Sequence, residues 1–260
     1  MSEITRNRWH SLRRFTSARI APGRAGNALP TAANLQFQLD HARARDAVHR
    51  PLDRAALVED LQPLGLPLIN VHSRADNRAV YLQRPDLGRQ LRDEDKATLQ
   101  ATTGDNDIAV VIVDGLSSTA VQQHAAPFLQ ILIPQLQDNG FGLFPLILVE
   151  QGRVAIGDDI GALLGSRLAL VVIGERPGLS SPDSLGVYLT YDPRPGRADS
   201  DRNCISNIRP PEGQGYRQAA DTCVYLCRNA MLKQLSGVKL KDDSVTLEQS
   251  RTEKIPFFRD

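Results

Sequence analysis

The sequence predicts an α/β fold in which helices cover both faces of a mostly parallel β-sheet. Three segments, "DIAVVIVDG" (107–115), "LFPLILVE" (143–150) and "LALVVI" (168–173), contain almost unbroken apolar runs, and helical patterns separate them. Runs that are apolar at successive positions are typical of parallel strands buried on both faces. Their alternation with helices favours a doubly wound, Rossmann-like sheet.

The N-terminal part, residues 1–62, is predicted to form a small helical domain that precedes this sheet. Thr31 can cap a helix that runs from about residue 32 to 49, where Pro51 stops it. A second short helix is expected at 54–61. The first helix carries an i, i+4, i+7 apolar stripe formed by Leu35, Leu39 and Ala42.

Residues 63–240 are predicted to form the Rossmann-like domain, and residues 241–260 a polar C-terminal tail. Two early runs, "LINVHSRA" (68–75) and "RAVYLQR" (78–84), have a β-like composition. Gly237 is well placed to end the last helix. The other elements expected are helices within 84–101 and at 125–140, 156–165 and 214–236, and a strand at 185–191.

Composition places the chain among ordinary globular proteins. Its formal net charge of +1 gives no global reason to expect nucleic acid or an anionic membrane as partner, and no apolar stretch is long enough to span a bilayer. Three cysteines make no disulfide framework and fit a reducing cytoplasm. Cys223 and Cys227 fall on one apolar helical stripe and are expected to be buried small residues rather than a metal pair.

Polar residues and glycines follow each of the three buried strands. Ligands of open α/β sheets bind at the carboxyl ends of the parallel strands, so these groups are expected to line one cleft. A strand that leaves the core also meets solvent, and a set of solvated turns is the alternative interpretation. The groups are Asp114-Gly115, Glu150-Gly152-Arg153 and Gly174-Glu175-Arg176.

The familiar catalytic and nucleotide-binding motifs are absent from this sequence. No G-x-G-x-x-G, P-loop or G-x-S-x-G motif occurs, and the five histidines lack metal-ligand spacing and are expected at the surface or as caps. Cys204, in "DRNCISNIRPP", is expected in a loop, where core packing and ligand contact both stay open. The residues alone therefore indicate a ligand-binding α/β domain without a catalytic set of its own.

Several segments in order resemble one family, the small (light) subunit of ethanolamine ammonia-lyase, over about residues 11–236. Each segment is weakly specific alone, but their combination is highly specific. They are "FTSARIAPGRAG", "YLQRPDLGRQL", "VIVDGLSSTA", "GRVAIGDDIGALLG", "VVIGERPGLSSPDSLGVYLTYDP" and "DRNCISNI".

The resemblance implies a cofactor and a partner. Members of this family bind adenosylcobalamin between the small subunit and a large TIM-barrel subunit, and the hetero-oligomer converts ethanolamine to acetaldehyde and ammonia. It implies that no catalytic residue and no metal ligand belong to this chain, and that Val154, Glu175 and Cys204 contact the cobalamin. No D-x-H-x-x-G motif occurs, so the base-on form of the cofactor is implied.

Two other functions stay open at this point. A stand-alone cobalamin-binding or carrier module would need no lyase partner, whereas a nucleotide-using Rossmann-like enzyme would need the glycine fingerprint that is lacking. The arginine-rich segment 6–24 fits either a docking element or a solvated basic face. The N-terminal extension that some members carry, which is linked to encapsulation in a bacterial microcompartment, has no counterpart here, so a freely cytoplasmic enzyme is expected.

Overall fold

In a computed structural model the chain forms an α/β fold around one six-stranded sheet, and the structure describes residues 4–102 and 104–243. The strands are β1 (Ile4–Thr5), β2 (Arg24–Ala25), β3 (Leu68–His72), β4 (Ile108–Val113), β5 (Leu146–Glu150), β6 (Leu168–Gly174), β7 (Leu185–Tyr191) and β8 (Arg202–Ile208). The helices are α1 (Thr31–His49), α2 (Arg54–Leu61), α3 (Arg78–Gln83), α4 (Asp93–Gln100), α5 (Ser118–Asp138), α6 (Ile156–Leu164) and α7 (Tyr216–Lys233).

The six-stranded sheet is mixed, with the spatial order β3-β5-β4-β6-β7-β8. The first four strands in that order run parallel, β7 is antiparallel to β6, and β8 is antiparallel to β7. β1 and β2 form a separate two-stranded antiparallel sheet. The predicted α/β class is confirmed, while the Rossmann-like assignment and the boundaries at residues 62 and 240 stay predictions.

Helices pack on both faces of the sheet, which explains why β4 is apolar at every position. Val110 and Ile112 lie in the core cluster that includes α5 and α7, whereas Val111 and Val113 lie in the cluster that includes α6. The connection from β4 to β5 runs through α5 on one face of the sheet, and the connection from β5 to β6 runs through α6 on the other face. The adjacent carboxyl ends of β4 and β6 therefore form a topological switch point, where open α/β sheets bind ligands.

Two sequence-based assignments were wrong, and one helix begins earlier than predicted. The run 78–84 forms α3 (Arg78–Gln83) instead of a strand, because the Asn77 side chain caps a helix by accepting from the Val80 N–H at 3.0 Å. The helix predicted at 125–140 is present but begins at Ser118, where the Ser117 hydroxyl accepts from the Ala120 N–H at 3.2 Å. Cys204 lies in β8 instead of a loop, because the segment pairs with β7.

The apolar stripes predicted on α7 and α1 have opposite outcomes. The stripe on α7 is buried as expected, with both Cys223 and Cys227 in the core. In α1 the predicted apolar stripe faces outward, since Leu35 and Leu39 are 59% and 45% exposed and Ala47 is the single buried residue. Of the predicted tail, residues 244–260 lie outside the described residues.

Candidate functional site

A cavity of about 430 Å³ opens at the switch point between β4 and β6. The structure brings the three polar strand ends to this edge of the sheet, because β4, β5 and β6 are parallel neighbours. Residues from six parts of the chain line the cavity, among them Tyr81, Leu116, Arg153, Val154, Glu175 and Tyr188.

Two glycines allow the end of β6 to approach the turn that follows β4. A Cβ on Gly174 would overlap the Ser117 carbonyl oxygen and lie 2.8 Å from the Asp114 carbonyl oxygen. Gly115 has a φ of +60°, which favours glycine, and a Cβ there would overlap the Gly174 carbonyl oxygen. That carbonyl accepts a hydrogen bond from the Leu116 N–H at 3.0 Å, so the two strand ends are held in direct contact.

The half-buried carboxylate of Glu175 joins three segments. It accepts hydrogen bonds from the Ser184 hydroxyl, from the Ser206 hydroxyl at 2.6 Å and from the Asn207 N–H at 3.1 Å. Since a carboxylate has about four acceptor positions, one remains for a ligand. Among the described residues no ion pair joins Glu175 to Arg176, so the solvated surface pair that would explain the turn without a ligand is not formed.

Cys204 lies beside the cavity, directly opposite the cavity-lining Tyr188 in the β7–β8 pair. Val187 and Ile205 of these strands pack toward α7, so Tyr188 and Cys204 are on the other face, where Cys204 is exposed. Desolvation by the neighbouring protein nevertheless raises the pKa of the Cys204 thiol. A thiol that keeps its proton offers a small, weakly polar contact rather than a nucleophile.

The structure therefore brings the three residues named from the family resemblance together. Val154, in the turn before α6, and Glu175 both line the cavity, whereas Cys204 is not a lining residue but lies opposite the lining residue Tyr188 in the neighbouring strand.

Sequence reasoning missed a stack of three side chains at the cavity. Two guanidinium groups stack on the ring of Tyr81, those of Arg78 and Arg153, at 4.6 and 4.1 Å from its centroid. Tyr81 had been placed in a strand, although it opens the "YLQRPDLGRQL" segment that carries part of the family resemblance. Arg153 belongs to the strand-end groups that the sequence predicts to line the cleft, and it does line the cavity.

The buried carboxylate of Asp114 lies next to the Arg78 guanidinium of this stack. Asp114 is 3% exposed and accepts hydrogen bonds from the N–H groups of Gln151 at 3.0 Å and Gly152 at 3.2 Å. Arg78 Nη1 lies 3.9 Å from its Oδ2. Burial raises the pKa of Asp114 to about 6, because the hydrogen bonds and the guanidinium offset only part of the desolvation of the charged form.

Asp114→Asn is expected to change how stability depends on pH. The pKa of Asp114 is higher in the folded state than its ordinary 3.8, so the folded state holds the proton more tightly and stability falls as pH rises from about 4 to about 6. For a shift of roughly two pKa units, the free energy of unfolding of the wild type should fall by up to about 3 kcal/mol over this pH range. The variant should not show this fall. Denaturant unfolding at several pH values checks it, and an equal pH dependence in both proteins would contradict it.

The loop between β6 and β7 is fastened to its surroundings near the cavity. Arg209 Nε donates to Asp183 at 2.8 Å, and the Ser117 hydroxyl donates to the Pro182 carbonyl at 2.8 Å. His124, which was expected at the surface or as a cap, is instead buried, and its Nδ1 lies 2.8 Å from the Tyr216 hydroxyl. This packing orients Ser184 and hence the Glu175 carboxylate.

Within the described ranges, 4–102 and 104–243, no group of three or more His, Cys, Asp or Glu side chains could hold a metal ion. No helix in that part of the chain is long and apolar enough to cross a membrane.

Comparison with known proteins identifies the family. The model of the family described as "Ethanolamine ammonia-lyase light chain (EutC)" matches residues 6–241. The chain belongs to this family. The predicted resemblance is thus confirmed, and with it the assignment to an ethanolamine ammonia-lyase, which is a lyase.

Similar curated proteins carry the same name, "Ethanolamine ammonia-lyase small subunit". The protein of Azotobacter vinelandii is 54% identical over 247 residues, covering 94% of this chain and 91% of the relative. That of Pseudomonas syringae pv. tomato is 54% identical over 242 residues, covering 92% and 84%. That of Xanthomonas campestris pv. campestris is 54% identical over 243 residues, covering 92% and 89%. These names support the role of a small subunit.

Proposed function

We propose that this chain binds adenosylcobalamin at the switch-point cavity and presents it to the large subunit of an ethanolamine ammonia-lyase, which converts ethanolamine to acetaldehyde and ammonia. The observation that carries the proposal is the convergence of Val154, Glu175 and Cys204 on one cavity and its rim. These are the three residues to which the family resemblance assigns cobalamin contacts.

The chemistry of the cavity suits a large ligand with both apolar and amide groups. Leu116, Val154 and Ile173 offer apolar surface, and the remaining acceptor position of Glu175 suits an amide N–H. The cavity is smaller than a corrinoid, so it would take only part of the ligand, while the face that carries Tyr188 and Cys204 would contact more of it. When bound, the cofactor would supply the radical chemistry, and this chain would bind, orient and shield it.

A second surface supports a large-subunit partner. In residues 4–39, arginines lie among exposed apolar side chains. Three of them, Arg6, Arg8 and Arg24, form no ion pair with any residue that the structure describes. Contiguous apolar surface rimmed by charge is typical of protein interfaces, so residues 4–39 are proposed to dock against an apolar, acidic surface of the large subunit. Seven of the nine exposed large hydrophobic residues in the described chain lie here, namely Ile4, Trp9, Phe15, Leu29, Leu35, Phe37 and Leu39.

The proposal is tested by reconstitution with the large subunit, adenosylcobalamin and ethanolamine. Acetaldehyde should form only when this chain is present, and the two subunits should co-elute. In the same complex, Glu175→Ala should weaken cobalamin binding by about tenfold or more, because hydrogen bonds to a charged group are lost and the ends of β6 and β8 separate. Binding is followed by the visible absorption of the cofactor.

The controls separate a local effect from a general one. Glu175→Gln keeps one acceptor oxygen and should give an intermediate affinity, and Glu59→Ala, on the exposed side of α2, should bind as the wild type. Unchanged affinity in Glu175→Ala would count against the site. Cobalamin binding by the isolated chain, with no co-elution and no acetaldehyde, would favour a stand-alone cobalamin-binding module.

A further inference from the structure

The switch-point cavity carries an excess of positive charge. Arg153 and Arg176 both line it, and the one carboxylate among its lining residues, Glu175, already accepts three hydrogen bonds from the protein. Asp114 lies below the stack, where two backbone N–H groups and Arg78 compensate it. With a neutral ligand, one net positive charge would remain among the lining residues, and a singly charged anion would balance it.

Two buried donors of the stack lack an acceptor. The Tyr81 hydroxyl and Arg153 Nε are shielded from solvent and donate to no acceptor, whereas the Arg78 guanidinium interacts with the Tyr81 oxygen. Tyr81 is fully buried, yet it lines the cavity. Burial also raises the pKa of Tyr81 to about 12, so its hydroxyl keeps the proton and stays a donor. Buried donors without acceptors are costly and rare in native proteins, so two such donors on residues that line one cavity indicate an acceptor supplied by a ligand.

We propose that Tyr81 and Arg153 form an anion subsite that takes the phosphodiester of the bound corrinoid's nucleotide loop. This inference rests on the proposed function, since it concerns the same cavity. A phosphodiester carries one negative charge and two free oxygens, and a guanidinium matches these oxygens in geometry and charge. The phosphodiester is the anionic group of a cobalamin, whereas its corrin side chains are neutral amides.

The stack also has a purely structural role, which the test must separate from anion binding. Arg153 Nη2 donates to the Tyr81 carbonyl at 3.0 Å, and the Arg153 N–H donates to the Gly88 carbonyl at 2.7 Å. These bonds tie α3 to the turn before α6. Removing Arg153 could therefore loosen the whole cavity, and this would weaken every corrinoid equally.

The experiment compares two corrinoids that differ by the phosphate alone. Adenosylcobinamide and adenosylcobinamide phosphate are titrated into the reconstituted two-subunit complex, and binding is followed by visible absorption. The wild type should bind the phosphate form more tightly. Arg153→Met should reduce this preference by about tenfold or more, while its affinity for adenosylcobinamide stays as in the wild type.

Two further variants keep the test decisive. Tyr81→Phe retains the stacked ring and removes the hydroxyl, so it should reduce the preference by a few-fold even if Arg153→Met fails to assemble. Arg217→Met, at an exposed position of α7, removes a remote charge and should change neither affinity. An equal loss for both corrinoids in the Arg153 and Tyr81 variants would overturn the subsite and leave the proposed function standing. Equal affinity of the wild type for the two corrinoids would likewise overturn the subsite, whereas failure of the wild type to bind adenosylcobalamin would overturn the proposed function as well.

Discussion

Gly174→Ala is expected to lower the free energy of unfolding by about 3 kcal/mol or more. The added Cβ would overlap the Ser117 carbonyl oxygen and lie 2.8 Å from the Asp114 carbonyl oxygen. Both neighbours are backbone atoms next to a buried strand, so neither moves aside cheaply. The end of β6 would have to separate from the turn after β4, and the cavity at the switch point would change shape. Denaturant unfolding measures the stability, and cobalamin titration of the two-subunit complex measures the site.

Gly165→Ala provides the matched control for this prediction. Gly165 has a φ of +71° at the end of α6, but a Cβ there would meet nothing within 4 Å. Its substitution should cost only the backbone penalty of a left-handed residue, about 1 to 2 kcal/mol, and leave corrinoid binding unchanged. If Gly174→Ala costs no more than this control, the close contact between the two strand ends does not hold the site together.

The sheet could be predicted because its central strands are apolar at every position. β4 and β6 are buried on both faces, so their sequences report burial directly and no partner needs to be known. The position of the site followed from the same observation, since parallel strands bring Asp114 and Gly174 to one edge. For these residues, the local sequence alone is enough to predict both the burial of the strands and the edge at which they end.

The contacts that complete the site could not be predicted, because they join distant segments. Glu175 is held by Asn207, 32 residues further along the chain, and this bond leaves no local pattern. β8 was missed because it is an edge strand in which polar and apolar residues alternate irregularly, with Cys204 exposed and Ile205 buried. Tyr81 was misplaced because a short β-like run became a helix once Asn77 capped it.

The apolar stripe of α1 shows a further limit of sequence patterns. Periodicity predicts which face of a helix is apolar, but it does not tell whether the chain itself covers that face. Leu35 and Leu39 are exposed in this chain, although the pattern resembles that of a core helix. Such an uncovered stripe fits the docking surface proposed above, because a partner chain that bound there would bury it.

Asp158→Ala is expected to cost about 3 to 5 kcal/mol of unfolding free energy, as is typical when one partner of a buried ion pair is removed. The carboxylate of Asp158 in α6 contacts the guanidinium of Arg202 in β8, and both side chains are nearly inaccessible, at 4% and 2% exposure. Arg202 also donates to the Ala198 carbonyl at 2.5 Å and lies 3.7 Å from the Asp199 carboxylate, but the carbonyl is neutral and Asp199 is exposed and screened by solvent. Because the pair joins α6 to the strand that carries Cys204, cobalamin affinity should fall together with stability.

A double-mutant cycle distinguishes loss of the pair from loss of packing. Arg202→Met should also be strongly destabilising, since it leaves Asp158 buried without a partner. The double variant, Asp158→Ala with Arg202→Met, should be more stable than the sum of the two single effects predicts, because no unpaired charge remains. Asp86→Ala breaks an exposed pair with Arg84 and should have no measurable effect. Additive single effects would mean that the two charges do not stabilise each other, and β8 would then be held to α6 by packing alone.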